Sequence, residues 1–170
     1  MSEETLNYFA YGSNLSIKRL QKRVPGARPL GVCTLPQHQI RFHKQGKDGS
    51  AKCDAYHTGG STDVVYGVLY SFPLREKPFL DLAEGLGVGY LSRDVTVFDA
   101  DQQPQIAMTY QAILIDRRQR PFSWYKNHVL NGAREAGLPP AYIEKIQQIE
   151  DIEDDDCERD MLERSIYLPF

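Results

Sequence analysis

The sequence lacks the features of a membrane-spanning or exported protein. None of its apolar runs approaches the roughly 18 residues that cross a bilayer. The opening residues, MSEETLNY, contain no basic stretch followed by an apolar one, so we expect no signal peptide. Cysteine is scarce: Cys33, Cys53 and Cys157 are far apart in sequence and odd in number. This favours a reduced, cytoplasmic setting over a disulfide scaffold.

An excess of charge of one sign is also missing from most of the chain. The formal net charge of −3 gives no indication of a nucleic-acid partner. The exception is residues 150–160 (EDIEDDDCERD), which contain eight acids and one arginine. This run has no glycine for the sharp turn of a calcium loop, and we interpret it as a solvated linker or a frayed helix. We therefore expect one domain over residues 1–149, followed by an acidic segment and C-terminal tail over 150–170.

Hydrophobic periodicity predicts a strand-rich domain whose long helices come late. This order is typical of an α+β fold, a small mixed barrel or folded sheet with helices packed outside, and not of a doubly wound parallel sheet. Predicted strands cover residues 6–11, 30–43 with a break at Pro36, 51–58, 64–72, 90–98 and 106–115, and predicted helices cover 16–24, 73–84, 121–136 and 140–149.

The first informative motif is YFAYGSNL, Tyr8 to Leu15. Its aromatic half favours a strand. Gly12 then permits a sharp bend, and Ser13 and Asn14 favour a turn or a helix N-cap. A strand that turns at glycine into a helix directs several backbone N–H groups at one point, which suits an anion.

The second informative residue is Glu84, which stands at the predicted C-terminal end of a helix. The helix macrodipole disfavours a negative charge there, and the adjacent residues include no cation. Both effects favour the protonated carboxyl, so we expect a raised pKa and a carboxylate basic enough for general-base catalysis. The alternative is an exposed glutamate at a helix end without a catalytic role. The glycines at 85, 87 and 89 follow a helix and precede a strand, the reverse of a dinucleotide-binding loop.

Other candidate residues carry weaker signals. Cys53 and His57 have a metal-like spacing, but no second pair accompanies them, so we expect no metal site. The histidines are scattered, and none has an evident carboxylate partner. Tyr125 lies on the helix face opposite Val129 and Ala133, and the pattern alone favours a core aromatic over a pocket hydroxyl.

Taken together, four blocks resemble the gamma-glutamylcyclotransferase-like family over about residues 6–150. The blocks are the Tyr8–Leu15 motif, the strand Val65–Tyr70, Glu84-Gly85 followed by Gly89-Tyr90, and Tyr125 with residues 132–139. The resemblance implies a small mixed barrel with outer helices. It also implies an enzyme that cyclises a gamma-glutamyl amino acid, releasing 5-oxoproline and the amino acid.

The resemblance also assigns residue roles. Glu84 would be the proton acceptor, and Tyr90 and Tyr125 would supply hydroxyl groups to the pocket. The reaction requires no metal or cofactor. The partner would be a small gamma-glutamyl substrate, without nucleic acid or membrane; a homodimer is compatible with the sequence, which does not fix the oligomeric state. The substrate pocket would be lined by the loop residues Tyr8, Phe9, Ala10, Tyr11, Gly12, Ser13 and Asn14.

Two alternative functions stay open. One is a non-enzymatic module that binds an amino-acid-like ligand. The other keeps the chemistry but acts on gamma-glutamylamines or on a gamma-glutamyl-protected biosynthetic intermediate. His43, Lys44, Lys47 and Lys52 suggest contact with an acidic leaving group, although a solvated turn is the favoured interpretation of this segment.

Overall fold

The computed structural model describes residues 2–169, which form a closed five-stranded barrel, a separate two-stranded sheet and outer helices. This confirms the predicted α+β class and the mixed barrel. The strands are β1 (Thr5–Ala10), β2 (Arg28–Pro36), β3 (His38–Gln45), β4 (Ala51–His57), β5 (Val64–Pro73), β6 (Tyr90–Phe98) and β7 (Pro104–Ala112). The helices are α1 (Ile17–Arg23), α2 (Lys77–Glu84), α3 (Ser123–Glu135), α4 (Pro140–Gln147) and α5 (Cys157–Ser165).

The barrel order is β1-β5-β2-β6-β7, and β3 pairs with β4 outside it. The barrel closes through a parallel contact between β1 and β7, where Tyr8 faces Met108. Gly67 on β5 makes room for the core, because a Cβ atom there would lie 2.5 Å from Cε2 of Phe9. The end of β1 is thereby held against β5 at the point where the YFAYGSNL motif leaves the barrel.

The predicted turn and helix boundaries agree with the structure. A short 3-10 turn over Ser13–Leu15 follows β1, and the hydroxyl of Ser16 caps α1 by accepting a hydrogen bond from the Arg19 N–H at 3.3 Å. Gly85 ends α2 in the left-handed conformation, with φ of 67°. The predicted helix over 73–84 is divided, since a 3-10 turn over Leu74–Glu76 precedes α2.

Helix α3 packs directly on the turn after β1. A Cβ atom at Gly132 would overlap Leu15 and Ser16, so only glycine lets the two backbones approach this closely. Val129 and Ala133 on α3 are fully buried. This contact fixes where α3 carries Tyr125.

The acidic run is more ordered than expected, and its interpretation as a solvated linker is wrong for Asp154. This carboxylate is buried, and it accepts hydrogen bonds from Trp124 Nε1 at 2.8 Å and Arg159 Nη2 at 2.7 Å. Helix α5 follows, and Tyr167 beyond it donates a hydrogen bond from its hydroxyl to Ser16 Oγ at 2.9 Å. Across residues 2–169, no helix has the length and apolar character needed to span a membrane.

Candidate active site

The candidate site is a small cavity at the end of β1, bordered by the C-terminal end of α2 and by α3. It brings together most of the residues singled out in the sequence. Its lining consists of Tyr8, Tyr11, Gly12, Ser13, Asn14, Cys53, Glu84, Tyr90, Tyr110 and Tyr125.

Two predicted lining residues, Phe9 and Ala10, do not border this cavity. Both are fully buried in the core. Side chains alternate along a strand, so Phe9 points away from the direction of Tyr8 and packs over Gly67. Ala10 offers only a methyl group, which the core encloses.

Glu84 is held by two polar side chains from the other edge of the cavity. Its Oε1 accepts hydrogen bonds from Asn14 Nδ2 at 2.8 Å and from Arg23 Nη1 at 2.9 Å. Arg23 Nη1 also donates to Asn14 Oδ1 at 3.0 Å, and Asn14 Nδ2 donates to the Tyr8 hydroxyl at 3.1 Å. The residues adjacent to Glu84 in sequence include no cation, but Arg23 reaches it from α1. The network orients the carboxylate, whose contacts with other described residues use Oε1 rather than Oε2.

Tyr90 and Tyr125 both bind the backbone of Cys53. The Tyr125 hydroxyl accepts from the Cys53 N–H at 2.9 Å, and the Tyr90 hydroxyl donates to the Cys53 carbonyl at 2.6 Å. Tyr125 thus brings its hydroxyl to the cavity as a buried aromatic. It shares the buried face of α3 with Val129 and Ala133, so its predicted position on the opposite face was wrong. The hydroxyl proton of Tyr90 is used by the Cys53 carbonyl, whereas the Tyr125 hydroxyl contacts both the N–H and the side chain of Cys53.

The cavity tyrosines are neutral near physiological pH. Burial raises the pKa of each hydroxyl, and the negative charge of Glu84 adds to the effect. Of the described residues that line the cavity, Glu84 alone carries a carboxylate. The described lining of the cavity therefore combines one carboxylate with neutral tyrosines that can act as hydrogen-bond partners. The tyrosines concerned are Tyr8, Tyr11, Tyr90, Tyr110 and Tyr125.

The glycine turn presents backbone donors to the cavity. The turn begins with the Leu15 N–H bonding to the Gly12 carbonyl at 3.0 Å. Within residues 2–169, the preceding N–H groups of Gly12, Ser13 and Asn14 have no protein acceptor. A Cβ atom at Gly12 would lie 2.9 Å from Cβ of Cys53, so glycine allows the turn to lie against β4.

Sequence reasoning missed Arg23, Cys53 and Tyr110. Arg23 belongs to a basic helix, and the sequence indicated only the apolar face of that helix, not which of its basic residues approaches the cavity. Tyr110 lies near the end of β7 and donates to Asp81 Oδ1 at 2.6 Å. An aromatic residue on the buried face near the end of a strand is a candidate for lining a cavity. The sequence does not show which end of the barrel holds the cavity, so it could not single out Tyr110.

The expected absence of histidine–carboxylate pairs was wrong. His43 Nε2 lies 2.8 Å from Asp54 Oδ2, and His128 Nε2 lies 2.7 Å from Glu163 Oε2. Asp54 also accepts from the Ala112 N–H at 3.0 Å, which joins β4 to β7 beside the cavity.

Among the residues that the structure describes, no group of three potential ligands is arranged to hold a metal ion.

Comparison with known proteins identifies the family. Residues 64–146 match the model of the AIG2-like family. Gamma-glutamylcyclotransferase from Bos taurus is 32% identical over 155 residues, covering 86% of this chain and 80% of the relative. The Homo sapiens protein of the same name is 32% identical over 157 residues, covering 87% and 80%. A solved structure of gamma-glutamyl cyclotransferase superposes with a TM-score of 0.84 at 26% identity, covering 95% of this chain and 99% of the other. The chain therefore belongs to the gamma-glutamylcyclotransferase family of enzymes.

Proposed function

We propose that this cavity cyclises a gamma-glutamyl substrate to 5-oxoproline and releases an amino acid or amine. The observation that carries the proposal is the position of Glu84. It is an oriented carboxylate at a cavity whose other titratable groups are neutral, and no other described lining residue carries a carboxylate. No step of this reaction needs a redox or group-carrying cofactor.

The chemistry follows from the substrate itself. The α-amine of a gamma-glutamyl group can reach its own γ-carbonyl carbon through a five-membered ring, but at neutral pH it is an ammonium. Glu84 accepts one ammonium proton, and the amine attacks the carbonyl carbon to form the ring C–N bond. The bond to the leaving nitrogen then breaks as that nitrogen receives the proton from Glu84. The ring nitrogen gives its second proton to the freed carboxylate of Glu84, which passes it to the released amine. Binding the folded-back conformer supplies much of the acceleration, because the reaction is intramolecular.

The remaining groups of the cavity match the charges of the substrate. The unused N–H groups of Gly12, Ser13 and Asn14 suit the α-carboxylate. Tyr125 can rotate its hydroxyl proton from the Cys53 side chain to the γ-carbonyl oxygen, where negative charge develops during attack. Tyr90 serves to orient the Cys53 peptide from the other side.

The test is product release from a panel of gamma-glutamyl dipeptides and gamma-glutamylamines. We expect the wild type to form 5-oxoproline together with the free amino acid or amine. Glu84→Gln should lower kcat by about 10²–10⁴-fold while leaving the thermal unfolding midpoint nearly unchanged. Glu144→Gln, which removes an exposed carboxylate from α4, is the matched control and should retain activity.

Two outcomes would contradict the proposal. One is undiminished turnover by Glu84→Gln. The other is a wild type that is silent across the whole panel while a gamma-glutamyl compound still raises its unfolding temperature; this would favour the binding module.

We also propose a cytoplasmic location. The thiols of Cys33, Cys53 and Cys157 are all free, and two of them are buried. Free thiols are typical of reducing compartments. Fractionation of cells that produce the protein would test this, and recovery from an oxidising compartment would contradict it.

A further inference from the structure

Lys44 is a buried cation beside the cavity. It lies near the end of β3 with only 8% of its surface exposed, so the expectation of a solvated turn is wrong for this residue. A β-bulge between Phe42 and Lys44 shifts the register and sets Lys44 opposite Lys52 on β4. Bulges commonly redirect side chains near active sites. The ammonium of Lys44 lies 4.8 Å from the centroid of the Tyr90 ring.

No carboxylate among residues 2–169 pairs with Lys44. Its Nζ atom makes neither a hydrogen bond nor a salt bridge to them, and it retains contact with solvent. Lys52, its neighbour across the sheet, shows the usual arrangement: its ammonium donates to Asp48 at 2.9 Å and to Ser50 at 2.7 Å. Lysines this buried are normally paired, so the free ammonium of Lys44 indicates a partner outside the chain.

The ammonium also lies against the loop that connects Glu84 to Tyr90. A Cβ atom at Gly89 would lie 2.7 Å from Lys44 Nζ, so the absence of a side chain at Gly89 gives the lysine this position. Burial lowers the pKa of Lys44, and the negative charge of Glu84 opposes that shift. The cation therefore lies within electrostatic range of the proposed catalytic base.

We propose that Lys44 is a specificity-determining residue that binds the carboxylate of the leaving amino acid. This inference rests on the proposed function. The backbone donors of the glycine turn account for the α-carboxylate of the gamma-glutamyl group, and Glu84 accounts for the amine. A second carboxylate exists only when the leaving group is an amino acid, and Lys44 is the unpaired cation next to Tyr90 that can receive it. Leaving amines without a carboxylate gain nothing from Lys44.

A pair of substrates isolates this contact. Gamma-glutamyl-L-alanine and gamma-glutamylethylamine differ only in the carboxylate of the leaving group. For Lys44→Met, we expect kcat/KM to fall about tenfold to hundredfold with the alanine dipeptide and to change less than about twofold with the ethylamine compound. Lys47→Met removes the same charge from an exposed neighbour in the same segment and should leave both values unchanged.

An equal loss with both substrates would show that Lys44 is structural, and no loss with either would show that it makes no contact; each result overturns the proposal. A wild type inactive on both substrates would instead overturn the proposed function. In that case calorimetry in the Glu84→Gln background still tests Lys44. Weaker binding of gamma-glutamyl-L-alanine on adding Lys44→Met supports the contact, whereas unchanged or undetectable binding of that compound refutes it.

Discussion

Arg23 and Glu84 meet across the cavity, with Arg23 Nη1 lying 2.9 Å from Glu84 Oε1. The two residues end α1 and α2 respectively. Arg23 is thus the cation that offsets the unfavourable position of a carboxylate at a helix C-terminus. Because the same Nη1 donates to Asn14 Oδ1, the arginine also fixes the amide that binds Glu84.

Replacing Arg23 should impair turnover more than folding. Arg23→Gln removes a charged hydrogen-bond donor from Glu84. Because the loss of a hydrogen bond to a charged group is costly, we expect kcat/KM to fall about tenfold to hundredfold. Arg23→Lys should give an intermediate value, since an ammonium keeps the charge but not the planar guanidinium. Steady-state kinetics beside thermal unfolding separates the two effects. Equal activity of Arg23→Gln and wild type would refute this role.

Gly12→Val should weaken substrate binding by distorting the turn. Even a Cβ atom at this position would lie 2.9 Å from Cβ of Cys53, so the larger side chain must push the turn away from β4. We expect KM to rise by at least about tenfold, the loss of roughly one charge-assisted hydrogen bond. Ser13→Ala is the control, because it keeps the backbone donor and should change KM little. A larger effect for Ser13→Ala than for Gly12→Val would contradict binding through the backbone.

The local part of the site was predictable because its signals are local. A strand, a glycine turn and a capped helix follow from adjacent residues, and the turn at Gly12 and Asn14 was identified in this way, whereas Tyr8 was assigned by the family resemblance. The Arg23–Glu84 pair was not, since the partners meet only when α1 and α2 pack at the same edge of the barrel. Sequence adjacency alone gave the wrong electrostatic surroundings for Glu84.

Helix α5 illustrates a second limit. It has no buried residue, so it lacks the apolar stripe from which amphipathic helices are recognised. Polar contacts such as Arg19–Glu163, at 2.7 Å, hold it instead. The composition of the acidic run indicates only its charge, whereas its partners, such as Trp124 and Lys126 on α3 and Arg159 on α5, are known only from the fold.

Acid should destabilise the protein through His128 and Glu163. Burial lowers the pKa of His128, although its hydrogen bond to Glu163 opposes this. The unfolded chain therefore binds the imidazole proton more readily than the native chain, and stability falls as the pH drops below about 6.5. Burial alone would raise the pKa of Glu163, but His128 and Arg19 lower it to about 2. Its contribution is lost as the pH falls from about 4.5 towards 2.

Thermal unfolding between pH 7 and pH 5 tests the histidine. His128→Gln should have a lower Tm than the wild type at pH 7 but a flatter dependence on pH, the difference in Tm narrowing by on the order of 5 °C at pH 5. His57→Gln, at an exposed position on β4, should retain the wild-type dependence. Parallel curves for His128→Gln and wild type would show that another group governs this range.

Asp154→Asn should lower the Tm, because Asp154 joins the acidic run to α3. Its carboxylate accepts from Trp124 Nε1 on α3 and from Arg159 on α5, and Arg159 holds its pKa well below the usual range. The neutral amide keeps the shape of the side chain but gives up one charged acceptor, and we expect the Tm to fall by on the order of 5 °C. Asp155→Asn removes the same charge from an exposed neighbour and should leave the Tm unchanged. Equal Tm values for the two variants would show that residues 150–160 act as a solvated linker. A lower Tm for Asp154→Asn alone would show that this segment belongs to the folded unit and supports α3, which carries Tyr125.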